Sequence, residues 1–508
     1  MRAFFAAAAL ACVSRAQQPT VNIVDGNCAT DSDSGAQIDF FPHKSSGAAK
    51  FQVTVAPNYS LLWDVTYHDT YKVLLNKQTS ESFVLYQCGT PAPALPNITR
   101  SWSVPVKKAA TTSTTYLPFL EMLGERDAVA AYASSFDYVS SSCMRRLHRD
   151  GACAEAYDSA TYSPDNTQLE ALGVDVTFAT TYDGAVHNAF VMSDVFEDSV
   201  LKIAEYVEVV GLFFNREAEA TAVITKMVEN YSCAKTELAK LSAESGTKLK
   251  VLYSAYYDGS WSVPACPSWY CEIVEAAGAT LLTAAAAGIE GEVVPAWGGP
   301  GRLSTSQLLE LGAEADVWIS ADAWGPLEAE PFASTASLKA VQNKRVFDIQ
   351  GKNGFSDWFE RRVVEPDTVL QDVAAALYPY SEYGRMHERV WLRDVIGGEA
   401  VTLRAVEADL DAACPATTAA YNYGSTIDSC ATDEPTAAPT AAPTPVPTAA
   451  PTAAPTPVPT AAPTAAPTPV PTAAPTAAPT PAPTAASDGA NRAPLLFGAL
   501  AAVAAGLF

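Results

Sequence analysis

Two stretches in the second half of the chain show the sharpest patterning of apolar and polar positions. Residues 248–261 (KLKVLYSAYYDGSW) and 344–379 (KRVFDIQGKNGFSDWFERRVVEPDTVLQDVAAALYP) each open on a short apolar, β-branched run, the pattern of a buried strand. Each then enters a Gly-bearing loop crowded with aromatics, and the second closes on an amphipathic helical period over 366–377. Upstream, 51–55, 61–67, 71–75 and 82–87 read as strands of a small antiparallel module. From residue 104 strand and helix patterns alternate, which implies parallel sheets with helices on their faces. Strands near Ala109, Val129, Val174 and Phe190 make a first lobe. Residues 215–241 (NREAEATAVITKMVENYSCAKTELAKL) contain neither Pro nor Gly and keep a helical apolar period, with Asn215 as the cap of one long helix.

The expected fold class is α/β: two Rossmann-like lobes with parallel sheets, joined by one long rigid helix and preceded by a small antiparallel β module. The expected boundaries are an N-terminal β-rich segment at 17–103, a first lobe at 104–214, a connecting helix at 215–244 and a second lobe at 245–380. An extension follows at 381–434, helical over 386–395. Parallel sheets expose a binding crevice beyond their strand ends, so loops rich in aromatics at that edge point to a small-molecule cleft.

The two ends set the compartment. Residues 1–16 combine Arg2, an apolar run over 3–13 and the small-residue site Ser14-Arg15-Ala16, the pattern of a secretory signal peptide. Residues 435–486 form a Pro/Thr/Ala stalk that repeats PTAAPTAAPTPV; extended as polyproline II, it reaches on the order of 150 Å. Residues 487–508 pair a small-residue cluster from Ser487 with an apolar tail, which fits a GPI-type signal with Ser487 as the lipid-bearing residue; a short tail anchor is the alternative. A secreted, plasma-membrane-anchored surface protein with its head outside the cell is expected. Its net charge of −24 argues against nucleic acid as a partner.

Of ten cysteines, Cys12 leaves with the signal. Sequence proximity pairs Cys143 with Cys153, Cys266 with Cys271 and Cys414 with Cys430; Cys28 with Cys88 would tie the leader to the N-terminal strands, leaving Cys233 as a buried thiol. Sequons at Asn58, Asn97 and Asn230 predict glycans.

The patterned stretches also resemble a family, the class III (long-helix) solute-binding proteins that serve bacterial importers of ferric siderophores, haem and cobalamin. The resemblance extends in order through YHDTYKVLLN and FVLYQCGTPAP (67–76 and 83–93), VPVKKAATTSTTYLPFLEMLGERDAVAAY (104–132), NTQLEALGVDVTFA (166–179) and AEADVWIS (313–320). Where the family has Pro-Asp before a first-lobe strand, this chain has Val174-Asp175. The resemblance implies a largely pre-formed cleft between lobes. It also implies a surface carboxylate at Glu205 of the kind that bacterial members present to an importer.

Loops beyond the strand ends nominate Tyr116, Phe136, Tyr138 and Tyr182 in the first lobe, and Tyr256, Tyr257, Trp261, Trp297, Trp324, Trp358 and Arg361 in the second. Aromatics offer a bulky ligand contact area, and Tyr, Trp and Arg donate hydrogen bonds to its oxygens. Each is weighed against plain packing, and Arg361 and Arg362 against pairing with Glu360 and Glu365. The five histidines, His43, His68, His148, His187 and His387, are scattered, so no intrinsic cofactor is expected and iron arrives only as a chelate.

The expected function is capture of a ferric siderophore of the hydroxamate type for iron uptake, as in the algal iron-starvation siderophore-binding surface proteins that the head resembles. The downstream partner is an endocytic or reductive system that the sequence does not name. Alternatives are cobalamin or haem binding, or a structural or adhesive glycoprotein without a ligand. No nucleophile-and-base signature is present, so the chain is not expected to be an enzyme.

Overall fold

The computed structural model describes residues 28, 39–41, 62–246, 248–257, 259–291, 302–321, 330–351, 355–381, 384–385, 387–399 and 414. All belong to the compact unit that contains residues 1–431. The signal, stalk and anchor segments, the 51–55 strand, Asn58, Trp297, Trp324 and Cys430 lie outside the described residues.

The N-terminal sheet runs in the order β1 (Trp63–Tyr67), β2 (Tyr71–Asn76), β3 (Glu81–Gln87), β4 (Arg100–Val104), antiparallel except for the parallel β3–β4 pair. Along β2 alternate residues are buried, and they include Lys72, an unusual residue for a sheet core. Its Nζ donates to the Leu212 carbonyl (2.6 Å), Asn215 Oδ1 (3.0 Å) and Glu217 Oε1 (2.7 Å). Burial pushes Lys72 down and Glu217 up, while their mutual attraction opposes both shifts. Trp63 stacks on Phe190 at 4.8 Å, and Trp102 meets Phe213 edge-on at 5.4 Å, so aromatics weld the sheet to the first lobe.

The first-lobe sheet is fully parallel. Its strands are β5 (Ala109–Thr111), β6 (Val129–Tyr132), β7 (Ala154–Glu155), β10 (Val176–Ala179) and β11 (Ala189–Val191), in the order β11-β10-β5-β6-β7. A separate ribbon pairs β8 (Tyr157–Asp158) with β9 (Ser163–Pro164). The second-lobe sheet is built on β12 (Lys250–Tyr257), β13 (Ser260–Ser262), β14 (Thr280–Leu281), β15 (Arg302–Leu303), β16 (Val317–Ser320), β17 (Val346–Asp348) and β18 (Arg393–Asp394). Its order is β15-β13-β12-β16-β17-β18, with β14 also on β12.

The lobes repeat one device. Asp175 Oδ2, just before β10, accepts the N–H groups of Lys107 and Lys108 (both 2.9 Å); Asp316 Oδ2, just before β16, accepts that of Lys250 (2.8 Å). In each lobe an aspartate that precedes an apolar strand fixes the start of the neighbouring strand.

The connecting helix spans Glu217–Ser245, 29 residues and about 44 Å at 1.5 Å per residue. Ala220, Val223, Ile224, Met227, Val228, Tyr231, Ala234 and Leu238 supply its buried stripe. Asn215 is not its N-cap. With φ +56° it ends the preceding helix, Tyr206–Phe214, and its side chain serves Lys72 and Gln87 instead. Gly211 lets the two helices touch, because a Cβ there would stand 3.0 Å from the Ala220 Cβ.

Further expectations change. Of the segment expected to be helical over 386–395, the described residues 387–395 are not: Asp372 Oδ2 accepts the N–H groups of Val390 (3.1 Å), Trp391 (2.7 Å) and Leu392 (3.0 Å), and β18 pairs antiparallel with β17, so the extension completes the second-lobe sheet. The helix Pro366–Leu377 is buried on every side rather than amphipathic, since its polar face holds Asp372 for that clamp and Asp367 for Asn230.

Disulfides join Cys28 to Cys88 and Cys266 to Cys271 as expected, but Cys143 pairs with Cys414. Cys153 points into the core and is a free thiol that burial raises to about 12, whereas Cys143 sits half-exposed on the helix Ser142–Arg149. Proximity in sequence therefore misassigns both, and Cys233 is disulfide-bonded rather than free. Among the sequons, Asn97 is exposed, while Asn230 lies within the connecting helix with its amide donating to Asp367 (3.2 Å).

Candidate functional site between the lobes

The two lobes meet through carboxylates that hold helix starts. Glu360, on the second-lobe helix Phe355–Arg361, accepts the N–H groups of Ser140 (2.6 Å) and Ser141 (2.9 Å), at the start of the Ser142–Arg149 helix. Asp357 accepts the Ser140 hydroxyl (2.9 Å). Glu272, on the helix Trp269–Ala276, accepts the N–H of Val200 (2.9 Å), which opens the helix Val200–Ala204. Carboxyl oxygens at helix N-termini satisfy donors that the helix itself leaves unpaired. Thr115 adds a direct bond to the Phe359 carbonyl (3.1 Å).

Within this junction lies Arg362, only 2% exposed. Its guanidinium rests over the rings of Trp269 (5.2 Å), Trp358 (5.8 Å) and Phe359 (5.8 Å). Its Nε has no hydrogen-bond partner among the described residues, nor have Nε1 of Trp269 and Nε1 of Trp358, all three buried. Four other buried indoles are served: Trp102 donates to the Asp175 carbonyl, Trp261 to Thr305, Trp318 to Ser254 and Trp391 to Asp357, while Trp63, packed under the N-terminal sheet, likewise leaves its Nε1 unmet. Guanidinium and indole N–H groups only donate, and an unmet buried donor costs about 1–3 kcal/mol. Arg362 and the two indoles beside it thus bring three unmet buried donors together.

Facing them from the first lobe is Asp194, whose Oδ1 accepts the Tyr116 hydroxyl (2.8 Å). Burial raises its carboxyl, opposed by that bond and by the charge of Arg362. Burial and the Asp194 charge in turn hold the Tyr116 phenol well above its ordinary range. Tyr182, 49% exposed, is raised first by partial burial and then by Asp194. Tyr253 and Tyr270 are raised by burial, with Arg362 opposing the shift in both.

Of the residues nominated from sequence, Tyr182 is exposed, while Trp358 and Tyr116 lie at this junction. Trp261 does not: Gly259, at φ +79°, turns β12 back into β13, and Trp261 is fully buried against Trp318, Phe332 and Tyr256 in a separate core. Phe136 stacks on His148 at 4.0 Å within the first lobe, and Tyr138 is half-buried nearby. Tyr257 closes β12. Arg361 is engaged by Glu365 and Asp357, the pairing that the sequence left open, while Glu205 is fully buried and presents no surface carboxylate.

Sequence reasoning missed Trp269, Asp194 and the role of Arg362. The signal for Trp269 was present in Cys266-Pro267-Ser268-Trp269, since Ser268 caps the helix and the Cys266–Cys271 disulfide staples its first turn. Nothing in the order Arg361-Arg362 shows which of the two points inward.

No protein-family model matches the chain, and no curated protein matches its sequence. Solved structures with a similar fold include an ABC transporter substrate-binding protein from Listeria monocytogenes (18% identity, 54% of this chain and 99% of that one, TM-score 0.39). They also include a petrobactin-binding protein from Bacillus subtilis (16%, 54% and 92%, TM-score 0.40) and a vitamin B12 binding protein from Vibrio cholerae (14%, 54% and 98%, TM-score 0.38). These likenesses are partial, and the fold assignment rests on the parallel first-lobe sheet, the mixed second-lobe sheet with its parallel β14-β12-β16-β17 core, and the helix between them.

Proposed function

We propose that the chain is a binding protein that captures a ferric siderophore of the hydroxamate type between its lobes, at the cell surface, for iron uptake. One observation carries this reading: Arg362, Trp269 and Trp358 converge as buried donors without acceptors in the junction of the lobes. The oxygens around a chelated ferric ion are acceptors, and aromatic faces suit the chelate's apolar periphery. Among the described histidines, His387 meets Asp372, His148 the Cys153 carbonyl and His187 the Asn188 side chain, and His68 stacks on Tyr71; in this reading the metal enters with its own ligands.

A thermal-unfolding screen of the full chain with ferrichrome, ferrioxamine, haem and cobalamin tests the ligand class, because a ligand that binds only the folded state raises the midpoint. A concentration-dependent rise with the ferric hydroxamates is expected. A rise with haem or cobalamin alone overturns the hydroxamate assignment, and no rise with any of them overturns the ligand reading itself.

A further inference from the structure

Three of the four residues that open the helix Trp269–Ala276 tie it to other elements. Trp269 lies under Arg362 (5.2 Å) and meets Trp358 edge-on (5.9 Å), and Tyr270 packs on Tyr253 (4.6 Å). Glu272 accepts the Val200 N–H of the first lobe (2.9 Å) and the Tyr231 hydroxyl of the connecting helix (3.3 Å). The fourth residue, Cys271, is bridged to Cys266. This bridge has a sequence separation of 5, against 60 for Cys28–Cys88 and 271 for Cys143–Cys414. So short a loop restricts the unfolded chain little, and the effect of the bridge falls on the turn that it closes.

The two halves of the bridge differ. Cys266 is exposed, within reach of an incoming thiolate, whereas Cys271 is 5% exposed in the first turn of the helix. The hydroxyl of Ser268, which caps that helix, stands 3.2 Å from Cys271 Sγ and donates to it, since a bridged sulfur carries no hydrogen. A thiolate is stabilised at a helix N-terminus, so Cys271 is the better leaving group, and as a thiol it can donate to the Ala265 carbonyl 3.4 Å away. We infer that Cys266–Cys271 is a redox switch on the lobe junction: an external dithiol reduces it in the folded protein, and the freed turn loosens Glu272 from Val200 and Trp269 from Arg362. A thiolate of the dithiol attacks Cys266 Sγ, the bridge breaks, and Cys271 leaves as a thiolate that takes up a proton. The second thiolate of the dithiol then displaces Cys266, which is protonated in turn. The bridge thus gains two electrons and two protons, and the dithiol is oxidised to a disulfide.

Amide hydrogen exchange of the full chain, titrated with dithiothreitol at one pH, tests this, with thiol alkylation of the same samples reporting the state of each cysteine. Cys266 and Cys271 should become alkylated while the protein stays folded. Exchange at the Val200 amide should then accelerate about tenfold, the value of one hydrogen bond. The double variant Cys266→Ser with Cys271→Ser, which leaves the other bridges intact, should show that acceleration without dithiothreitol and gain nothing from it. A bridge that stays closed until the protein unfolds overturns the switch, and so does a reduced bridge with unchanged exchange at Val200. Both results come from the unaltered chain, so the test decides even where the variant does not fold. It uses no ligand and stands apart from the chelate reading.

Discussion

Lys72 and Arg362 are both buried cations, and their surroundings assign them opposite tasks. Lys72 has all three of its donors met by Leu212, Asn215 and Glu217, so it fastens the N-terminal sheet to the start of the connecting helix. Removing one member of a buried ion pair strands the other, so Lys72→Ala should lower the unfolding free energy by about 3–5 kcal/mol in a denaturant titration. The double change Lys72→Met with Glu217→Gln should cost much less, since it leaves no unpaired charge. Arg362 has aromatic faces but no acceptor for its Nε. Arg362→Met keeps much of the apolar contact and should weaken ligand binding by about 10–100-fold without a comparable loss of stability. Loss of stability equal to that of Lys72→Ala would mark Arg362 as a packing residue.

At the scale of elements, the junction and the helices Tyr206–Phe214 and Pro366–Leu377 concentrate carboxyls in the interior. Burial raises Glu360 and Glu208 to about 8, Glu365 to about 7 and Asp367 to about 6. Each titrates higher in the folded protein than in an unfolded chain, where such groups titrate near about 4, so folding takes up protons. Their contribution is complete below about pH 4 and is lost as pH rises through these values. Thermal midpoints should therefore fall from pH 5 to pH 8.5 at constant ionic strength; a rise over that range would contradict these environments. The Cys143–Cys414 bridge belongs to this scale too, because it fastens the extension to the helix whose first N–H groups Glu360 holds. Non-reducing peptide mapping should recover that pair, with Cys153 alkylated only after denaturation; a Cys143–Cys153 peptide would refute the arrangement.

For the whole molecule, the sheets and the long helix were legible because their signals are local. The apolar run at β12, the aspartates before β10 and β16, and the unbroken stretch over 215–241 each announce themselves within a dozen residues. The site was legible only in part. Trp358 and Tyr116 were nominated as residues near strand ends, but Trp261 has the same local pattern and serves a core, because a hairpin turn and not a cleft loop follows β12. Trp269 meets Arg362 through packing within the second lobe, a relation between distant segments that no spacing encodes.

The central claim is that buried donors at the lobe junction hold a ferric hydroxamate. Tryptophan fluorescence of the full chain, titrated with ferrioxamine B, tests it most directly, because Trp269 and Trp358 adjoin Arg362. The account predicts saturable quenching that is weakened about 10–100-fold in Arg362→Met. Quenching unchanged by that substitution, or none that saturates, would contradict it.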